Sequence, residues 1–600
     1  LLLFALPLTS ATITKTITFE KSNLVFSQVD GYDVIELKGY PALINPGAPR
    51  VPRVVIPLVI PAGTKPTKVE IISQDIVELS GTYNIIPAHP DIPLPMPGKV
   101  FTPEEILPDP VIYSSNKLYP DAGLKLNGAG SKCGYRIAHI EIFPVRYNPI
   151  EGMLQFTRSI TYRLEYEMDR HQSTVPTERQ KELFGEEVRA IVANPEDVTA
   201  FAPLVAKGPS PSLVPPGNYE YVVISEDPMD TVFQRLADWK TKKGIPATVV
   251  KVSYINTNYT GYDLQEKVRN FVIDAYNTWG TVYVLLGGSA DYNSSGQNIV
   301  PTRKAWYVNV GGPDGDKLPS DLYYSDLDGT WDSNNNHIYG ETGDNVDMYA
   351  DVYVGRASVY TISMAQNFVY KVLTYEKNPP TDYIKKLMLP TGILWSSYEE
   401  RPIQDSIADM TPAGWFDAKM YERNGNLSRP GMIDSMNVGY GMGHWEGHGN
   451  ESGIYYGGGS TPFLTSSDAD NLVNGDKEGI ANSIACMCGG WDLVSSGQDC
   501  FAEHLVNRVG GGLCAVMMNS RYGWGAYVGG GYVPGPSERI DTTFYYNIFY
   551  NSLYHIGETH AVAKDAWIPY VGQGQQYDKT RWCIYELNLF GCPEMSIWTD

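Results

Sequence analysis

The hydrophobic pattern changes about a third of the way along this chain of 600 residues. Residues 12–168 alternate short apolar runs with proline turns, as in Val54–Pro61 (VVIPLVIP) and Ile137–Pro144 (IAHIEIFP). Short apolar runs bounded by turn residues are typical of strands, and no amphipathic helix of useful length separates them. This region is therefore predicted to be an all-β, sandwich-like domain.

From residue 218 onward, the pattern alternates between strands and helices. The first elements are predicted as strand, helix, strand, helix, strand over Tyr219–Ser225, Met229–Lys243, Ala247–Val252, Tyr262–Trp279 and Thr281–Leu286. Such alternation indicates parallel sheets with crossover helices. Because it restarts near Lys386, we predict two α/β halves, 218–378 and 379–600.

Residues 169–217 connect the two regions. They contain a predicted helix, Thr177–Ala193, and then a Pro/Gly/Ser-rich stretch that is typical of a cleavable linker. Residues 1–11, LLLFALPLTSA, resemble the apolar part of a secretory signal and are predicted to be its remnant. No run reaches about 18 apolar residues, so no membrane span is expected. We predict a secreted or cell-surface protein.

Charge and cysteine content narrow the function. With 46 Lys and Arg against 68 Asp and Glu, the net charge is −22, which argues against nucleic acid as a partner. Of seven cysteines, six lie between residues 486 and 592, which is not the spread of a disulfide scaffold. An odd number in an exported protein leaves at least one thiol free or paired between chains.

The stretch GHWEGHGN, residues 443–450, allows two interpretations. On a strand, His444, Glu446 and His448 would share a face, which is a possible zinc geometry. The helical zinc motif H-E-x-x-H is not matched, because the glutamate has the wrong offset and the glycines disfavour a helix. Alternatively, His448 ends a strand and acts as a catalytic base.

A second segment, IANSIACMCGGW at residues 480–491, is a short apolar strand ending in Ala-Cys. In open α/β sheets, functional groups gather beyond the carboxyl ends of strands. If the strand ending at His448 lies alongside, its imidazole would serve as base to the Cys486 thiol.

Together these segments resemble the gingipain family of caspase-like cysteine peptidases. Further similar stretches are DCFAEH (499–504), SDLYYSDLDG (320–329), DVYVGR (351–356), LFGCPE (589–594) and, in the β region, FPVRYNP (143–149). Cys592 replaces the usual aspartate of the closing turn. The resemblance implies an α/β caspase-like (caspase-hemoglobinase) catalytic domain of two halves, preceded by an all-β sandwich-like pro-domain.

The same resemblance assigns roles to residues. Cys486 would be the nucleophile and His448 the base, with the N–H groups of Gly449 and Cys486 forming the oxyanion hole. Cys488 leaves the choice of nucleophile open. The region in which some members carry a third catalytic carboxylate, residues 389–394, contains no acid.

The substrate pocket of the family is expected to involve three residues here. Trp524 resembles the tryptophan that lines the pocket. Glu400 or Asp405 would correspond to the acidic residue that pairs with Arg or Lys of the substrate. Exposed carboxylates beside a helix start are the alternative interpretation.

A separate loop is rich in short oxygen side chains. Its members, at roughly every second position, are Asp326, Asp328, Asp332, Asn334, Asn336 and Glu341. Calcium takes six to eight such oxygens, so we predict a structural Ca²⁺ site, although the spacing is not that of an EF-hand. Otherwise these residues would set turns.

The overall hypothesis is an exported cysteine endopeptidase made as a zymogen, inhibited by its own pro-domain. Its substrates would be proteins or peptides, with cleavage after Arg or Lys as one expectation and legumain-like or caspase-like specificity as others. No organic cofactor is expected. The alternatives are a catalytically inactive caspase-like surface or binding protein, and a zinc hydrolase.

Overall fold

The computed structural model describes residues 11–99, 101–169, 174–205, 212–290, 297–306, 317–396, 398–494, 498–529, 531–571 and 577–599. The predicted signal remnant, apart from Ala11, and residues 206–211 of the predicted linker lie outside the described residues. No helix in these ranges is long and apolar enough to cross a membrane.

The N-terminal region is built from strands, as its pattern predicts. They are β1 to β10: Ala11–Thr18, Leu24–Val29, Tyr32–Leu37, Val54–Ile60, Thr64–Leu79, Ile92–Pro93, Leu124–Lys132, Tyr135–Ile142, Val145–Asn148 and Met153–Met168. One antiparallel sheet has the order β1-β10-β5 with β9 beside β10, and another the order β4-β8-β7. Alternate apolar side chains of these strands form a shared core, including Leu58, Ile140 and Phe156.

The C-terminal region supplies strands β11 to β27. They are Tyr221–Ser225, Ala247–Lys251, Tyr283–Gly287, Arg303–Ala305, Leu318–Ser320, Tyr353–Ala357, Lys386–Thr391, Phe416–Tyr421, Met442–Trp445, His448–Asn450, Gly453–Tyr456, Thr461–Thr465, Ile480–Ser483, Ala515–Asn519, Trp524–Val528, Gly531–Val533 and Leu587–Phe590. Ten of them form one sheet in the order β12-β11-β13-β16-β27-β24-β23-β19-β17-β18. Neighbours run parallel except β24 and β27, so two parallel halves of five strands meet along one antiparallel pair.

Helices connect the parallel strands. In chain order, α1 to α13 are Pro110–Tyr113, Glu178–Ile191, Asp230–Lys242, Val252–Asn258, Leu264–Trp279, Ile362–Lys377, Arg401–Ala408, Arg429–Val438, Ser466–Ala469, Phe501–Asn507, Pro536–Phe549, Ile556–Asp565 and Thr580–Glu586. Local sequence sets their ends. For α5, the Asp263 carboxylate accepts from the Glu266 N–H, and Gly280 ends the helix with φ 74°.

The N-terminal region and the sheet share a buried ionic contact. The Lys132 ammonium of β7 lies 3.1 Å from the Glu187 carboxylate of α2 and 2.7 Å from the Asp565 carboxylate of α12. All three side chains are buried. Lys132 is within ion-pair distance of both carboxylates, and the contact ties the two regions together.

Replacing Lys132 with methionine should destabilise the folded chain by about 3–5 kcal/mol, because two carboxylates would stay buried without their cation. Urea unfolding followed by tryptophan fluorescence measures the change. Lys68→Met is the control, since Lys68 pairs with Glu70 in a solvent-exposed position, and should leave the unfolding midpoint unchanged. Equal midpoints for both variants would contradict the coupling.

Candidate active site

Two adjacent parallel strands end at the candidate catalytic residues. In the register of β19 and β23, His444 pairs with Asn482 and Trp445 with Ser483. Just beyond these ends lie His448, which begins β20, and Cys486. The backbones touch at Gly449, where an added Cβ would lie 2.8 Å from the Cys486 nitrogen and 2.5 Å from its oxygen. Glycine is what allows this approach.

The turn that presents Cys486 is held by hydrogen bonds on both sides. The Asn519 side chain donates to the Ile484 carbonyl at 2.9 Å, and the Met487 N–H donates to the Arg521 carbonyl at 2.8 Å. Met487 itself has φ 59°, an uncommon conformation for a residue with a side chain. Such conformations persist when the surroundings fix them, and they concentrate at functional sites.

His448 is held between two backbone carbonyls. Its Nδ1 lies 3.0 Å from the Pro95 oxygen, and its Nε2 lies 2.9 Å from the Ile393 oxygen. The Ile393 N–H donates to the Glu422 carboxylate at 2.7 Å, which fixes that carbonyl. Burial lowers the pKa of the imidazole, while both carbonyls and Glu422 oppose the shift. Only the imidazolium can donate to both oxygens.

A segment of the N-terminal region crosses this site. Strand β6 pairs antiparallel with β25, Pro93 opposite Trp524, and the Leu94 N–H donates to the Gly523 carbonyl at 2.7 Å. The Cys486 thiol donates to the Leu94 carbonyl at 3.4 Å. Since His448 meets the next carbonyl, that of Pro95, thiol and imidazole engage two consecutive residues of one extended chain.

The sequence prediction missed this segment. The signal was present in Pro90-Asp-Ile-Pro-Leu-Pro-Met-Pro97, in which proline recurs at every second or third position. Proline favours an extended backbone and removes N–H donors, so such a stretch is suited to lie along another chain.

Comparison with known proteins identifies the family. A family model described as Peptidase family C25 matches residues 214–598, and one described as Propeptide_C25 matches residues 5–201. The chain belongs to Peptidase family C25. The resemblance to gingipains is thereby confirmed, and with it the fold class, an α/β caspase-like domain preceded by an all-β pro-domain.

Individual relatives of this C25 chain are distant. Lys-gingipain W83 of Porphyromonas gingivalis is 23% identical over 542 residues, which are 86% of this chain and 26% of that protein. The chain thus spans about a quarter of that relative's length. Among solved structures, the Arg-specific cysteine proteinase gingipain R matches with a TM-score of 0.48 and 18% identity over 65% of this chain and 81% of that one. The complex of the pro- and mature domains of RgpB from Porphyromonas gingivalis matches with a TM-score of 0.46 and 18% identity, over 64% of this chain and 80% of that one.

The second cysteine of the Ala-Cys-Met-Cys stretch, Cys488, faces Gly453 and not Leu94. The Cys488 thiol is buried and donates to the Gly453 carbonyl at 3.7 Å. Burial raises its pKa well above the usual value, and the neighbouring Cys486 adds to the rise. Of the two thiols, Cys486 is therefore the one that faces the Leu94 carbonyl.

The zinc arrangement considered from the sequence is not formed. His444 meets the Gln404 side chain at 3.1 Å and the Asp541 carboxylate at 3.3 Å. His448 instead faces the Pro95 carbonyl of the segment that crosses the site. Glu446 accepts from Gln404 at 2.8 Å. Burial raises the pKa of the Glu446 carboxyl well above its usual value. Among the described residues, no group of three or more His, Cys, Asp or Glu is placed to hold a metal.

Both acidic residues proposed for the substrate pocket already have partners. Glu400 accepts from the Leu394 N–H at 2.8 Å and from the Arg423 guanidinium at 2.7 Å. Asp405 lies 2.8 Å from Lys419 and accepts from Tyr421. Burial raises the pKa of Asp405, but these two donors outweigh it and the pKa is lowered.

Trp524 lies at the site through its backbone. In the β6–β25 register Trp524 lies opposite Pro93, its N–H donates to the Ser537 hydroxyl at 2.9 Å, and its ring packs edge-on against Trp582 at 5.5 Å. The tryptophan thereby supports the strand along which the pro-segment lies.

The acidic loop predicted to bind calcium divides into two groups. In one group, Asp332 accepts from the Asn336 N–H at 2.9 Å, and the Asn336 and Asn334 side chains both donate to Glu341, at 2.6 Å and 3.3 Å. In the other, Asp326 accepts from the Trp331 indole at 3.1 Å. Asp328 accepts from the Thr174 N–H at 2.7 Å. Many of these oxygens set turns and contacts, and calcium binding stays a prediction.

Proposed function

We propose that this chain is the latent form of an exported cysteine endopeptidase acting through Cys486 and His448. The observation that carries the proposal is the contact of the Cys486 thiol and the His448 imidazole with consecutive carbonyls of one extended segment. Such a segment lies as a bound peptide would, and nucleophile and base meet it from neighbouring strand ends.

In the proposed reaction, a substrate residue occupies the position of Leu94. His448 takes the proton of the Cys486 thiol, and the thiolate attacks the carbonyl carbon of that residue while the N–H groups of Gly449 and Cys486 stabilise the oxyanion. The tetrahedral intermediate expels the amine, which takes a proton from His448 Nδ1, and a thioester remains. Water, deprotonated by His448, then hydrolyses the thioester and regenerates the thiol.

The Ile393 carbonyl lies behind His448, where a third catalytic residue would orient the imidazole. It accepts from the far nitrogen of the imidazole and so orients Nδ1 toward the substrate. A carbonyl stabilises the imidazolium less than a carboxylate would. A thiol ionises far more readily than a hydroxyl, so a Cys-His pair suffices without an acid.

The pro-domain would act as the inhibitor. Its Leu94–Pro95 bond lies at the thiol, but His448 Nδ1 faces the Pro95 oxygen and not the nitrogen that would leave. Proline also has no N–H, and its ring carbon fills that space. The segment therefore fits the site without being set up for cleavage.

A structural Ca²⁺ in the loop 326–341 remains part of the proposal. A bound cation would offset repulsion among its carboxylates and raise thermal stability. Thermal unfolding with added CaCl₂ and with EGTA measures this, and identical transition temperatures would count against the ion.

The peptidase function is tested on the full chain in reductant with a denatured protein as substrate. We expect cleavage that iodoacetamide abolishes and 1,10-phenanthroline does not affect, since its nitrogen ligands select zinc over calcium. Inhibition by phenanthroline alone would favour the zinc hydrolase. Absence of cleavage, even after trypsin opens the linker, would favour the inactive binding protein.

A further inference from the structure

We propose that the site selects a medium-sized aliphatic residue, leucine or methionine, on the amino side of the cleaved bond. This inference rests on the peptidase function just proposed and names its substrate class. The proposed preference differs from the preference for lysine or arginine that the names of the relatives state.

Leu94 marks the specificity pocket. Its N–H is bound by Gly523, its carbonyl is bound by the Cys486 thiol, and its side chain is fully buried. A residue bound at its N–H and at its carbonyl in this way occupies the place of the substrate residue under attack. The surroundings of its side chain therefore report what that position accepts.

Two glycines and a tryptophan form the wall around Leu94. An added Cβ at Gly523 would lie 2.7 Å from Leu94 Cδ1, and one at Gly525 would lie 3.4 Å from Leu94 Cδ2. The Trp395 ring edge would lie 2.8 Å from the same Cβ of Gly525. Trp395 is itself stacked on Tyr532 at 3.9 Å and 7°, which fixes the ring. Gly523, just before β25, and Gly525 within it thus leave room for an aliphatic side chain.

The carboxylates that would attract a basic residue are engaged. Glu400, only 1% exposed, accepts from Arg423 and from the Leu394 N–H. Arg423 also donates to the Trp395 carbonyl at 3.0 Å, so the Glu400–Arg423 pair holds the backbone of the residue whose ring lies at the pocket. A lysine or arginine entering here would lose its hydration and would find Glu400 already paired with Arg423.

Two more carboxyl groups interact with Tyr398, whose ring packs against Trp395. Burial raises the pKa of Glu538 to about 7 and that of Glu446 well above its usual value. In both, burial disfavours the charged form of the carboxyl group.

The test uses the full chain after self-processing in reductant. Internally quenched peptides carry Ile-Pro-X-Ala, which copies residues 92 and 93, with X as Leu, Met, Lys, Arg or Ala. We expect kcat/KM for Leu and Met to exceed that for Lys and Arg by at least tenfold. Cut sites in a denatured protein, read by mass spectrometry, provide the same ranking without a chosen sequence.

Two variants locate the preference in this pocket. Gly525→Ala should lower kcat/KM for the Leu peptide at least tenfold and that for the Ala peptide much less, because the added methyl narrows the pocket. Glu400→Gln should not change the Leu to Lys ratio through loss of an anion that binds a substrate cation, because Glu400 is already paired with Arg423.

The possible failures are separable. If Lys or Arg peptides are cleaved fastest and Glu400→Gln removes that preference, the aliphatic pocket is overturned while the peptidase stands. If neither the peptides nor the denatured protein is cleaved, the peptidase function and the pocket are overturned together.

Discussion

Replacing Cys486 with alanine is expected to abolish peptidase activity, lowering kcat/KM by roughly 10³-fold or more. The variant removes the only thiol that faces the Leu94 carbonyl among the described residues, and no hydroxyl takes its place. The fold should persist, because only one buried atom is lost, which costs about as much as the loss of one methylene group, roughly 1 kcal/mol. Activity on a denatured protein and the intact mass of the chain after incubation in reductant are the two measurements.

Cys488→Ala is the matched control. It lies two residues away, is equally buried and has a thiol whose pKa burial raises well above the usual value. This variant should retain activity within a few fold and should still process itself. The assignment of the nucleophile would be wrong if Cys488→Ala were inactive and Cys486→Ala were active.

Replacing Leu94 with aspartate is expected to relieve latency, raising the activity of the unprocessed chain at least 100-fold. Leu94 is fully buried between Gly523 and Gly525. Placing a carboxylate there costs several kcal/mol, because it would lose its hydration between two glycines and beside the Trp395 ring. The pro-segment should therefore leave the site while the rest of the pro-domain stays docked through contacts such as Lys132–Asp565.

The measurement is the initial rate on a peptide substrate before any change in the intact mass. Leu107→Asp is the control, since Leu107 is 68% exposed in the same region, and should stay latent. Leu94→Met should also stay latent, because it keeps an apolar side chain of similar volume. If Leu94→Asp is as inactive as the parent chain, the segment does not inhibit.

The sequence was sufficient for elements whose pattern is local. The strand at Tyr221–Ser225 and the helix at Leu264–Trp279 follow from a run of apolar residues and from an N-cap aspartate with a terminal glycine. That His448 and Cys486 lie at one edge of the sheet was also accessible, because each follows one of two adjacent parallel strands, β19 and β23.

Long-range contacts were not accessible in the same way. Nothing in the β region's alternation indicates that Leu94 meets residues more than 390 positions later. Similarly, the sequence allowed Glu400 to be the acidic residue of the substrate pocket, because it does not show that Arg423 is its ion-pair partner. Acidic side chains spaced along residues 326–341 suggested one cluster, yet backbone geometry directs them to separate donors. Side-chain direction depends on tertiary structure, which periodicity does not encode.

The position of β27 has a consequence for synthesis on the ribosome. This strand, Leu587–Phe590, lies between β16 of the first half and β24 of the second, yet it is synthesised after all nine other strands of this sheet. Until it emerges, the two halves cannot join into one sheet, and the ends of β19 and β23 lack their final support. The inhibitory segment at residues 91–97 leaves the ribosome nearly 500 residues earlier and, at the usual rates of elongation, tens of seconds before. A nascent chain therefore contains the segment proposed as its inhibitor before the sheet that positions Cys486 and His448 can close.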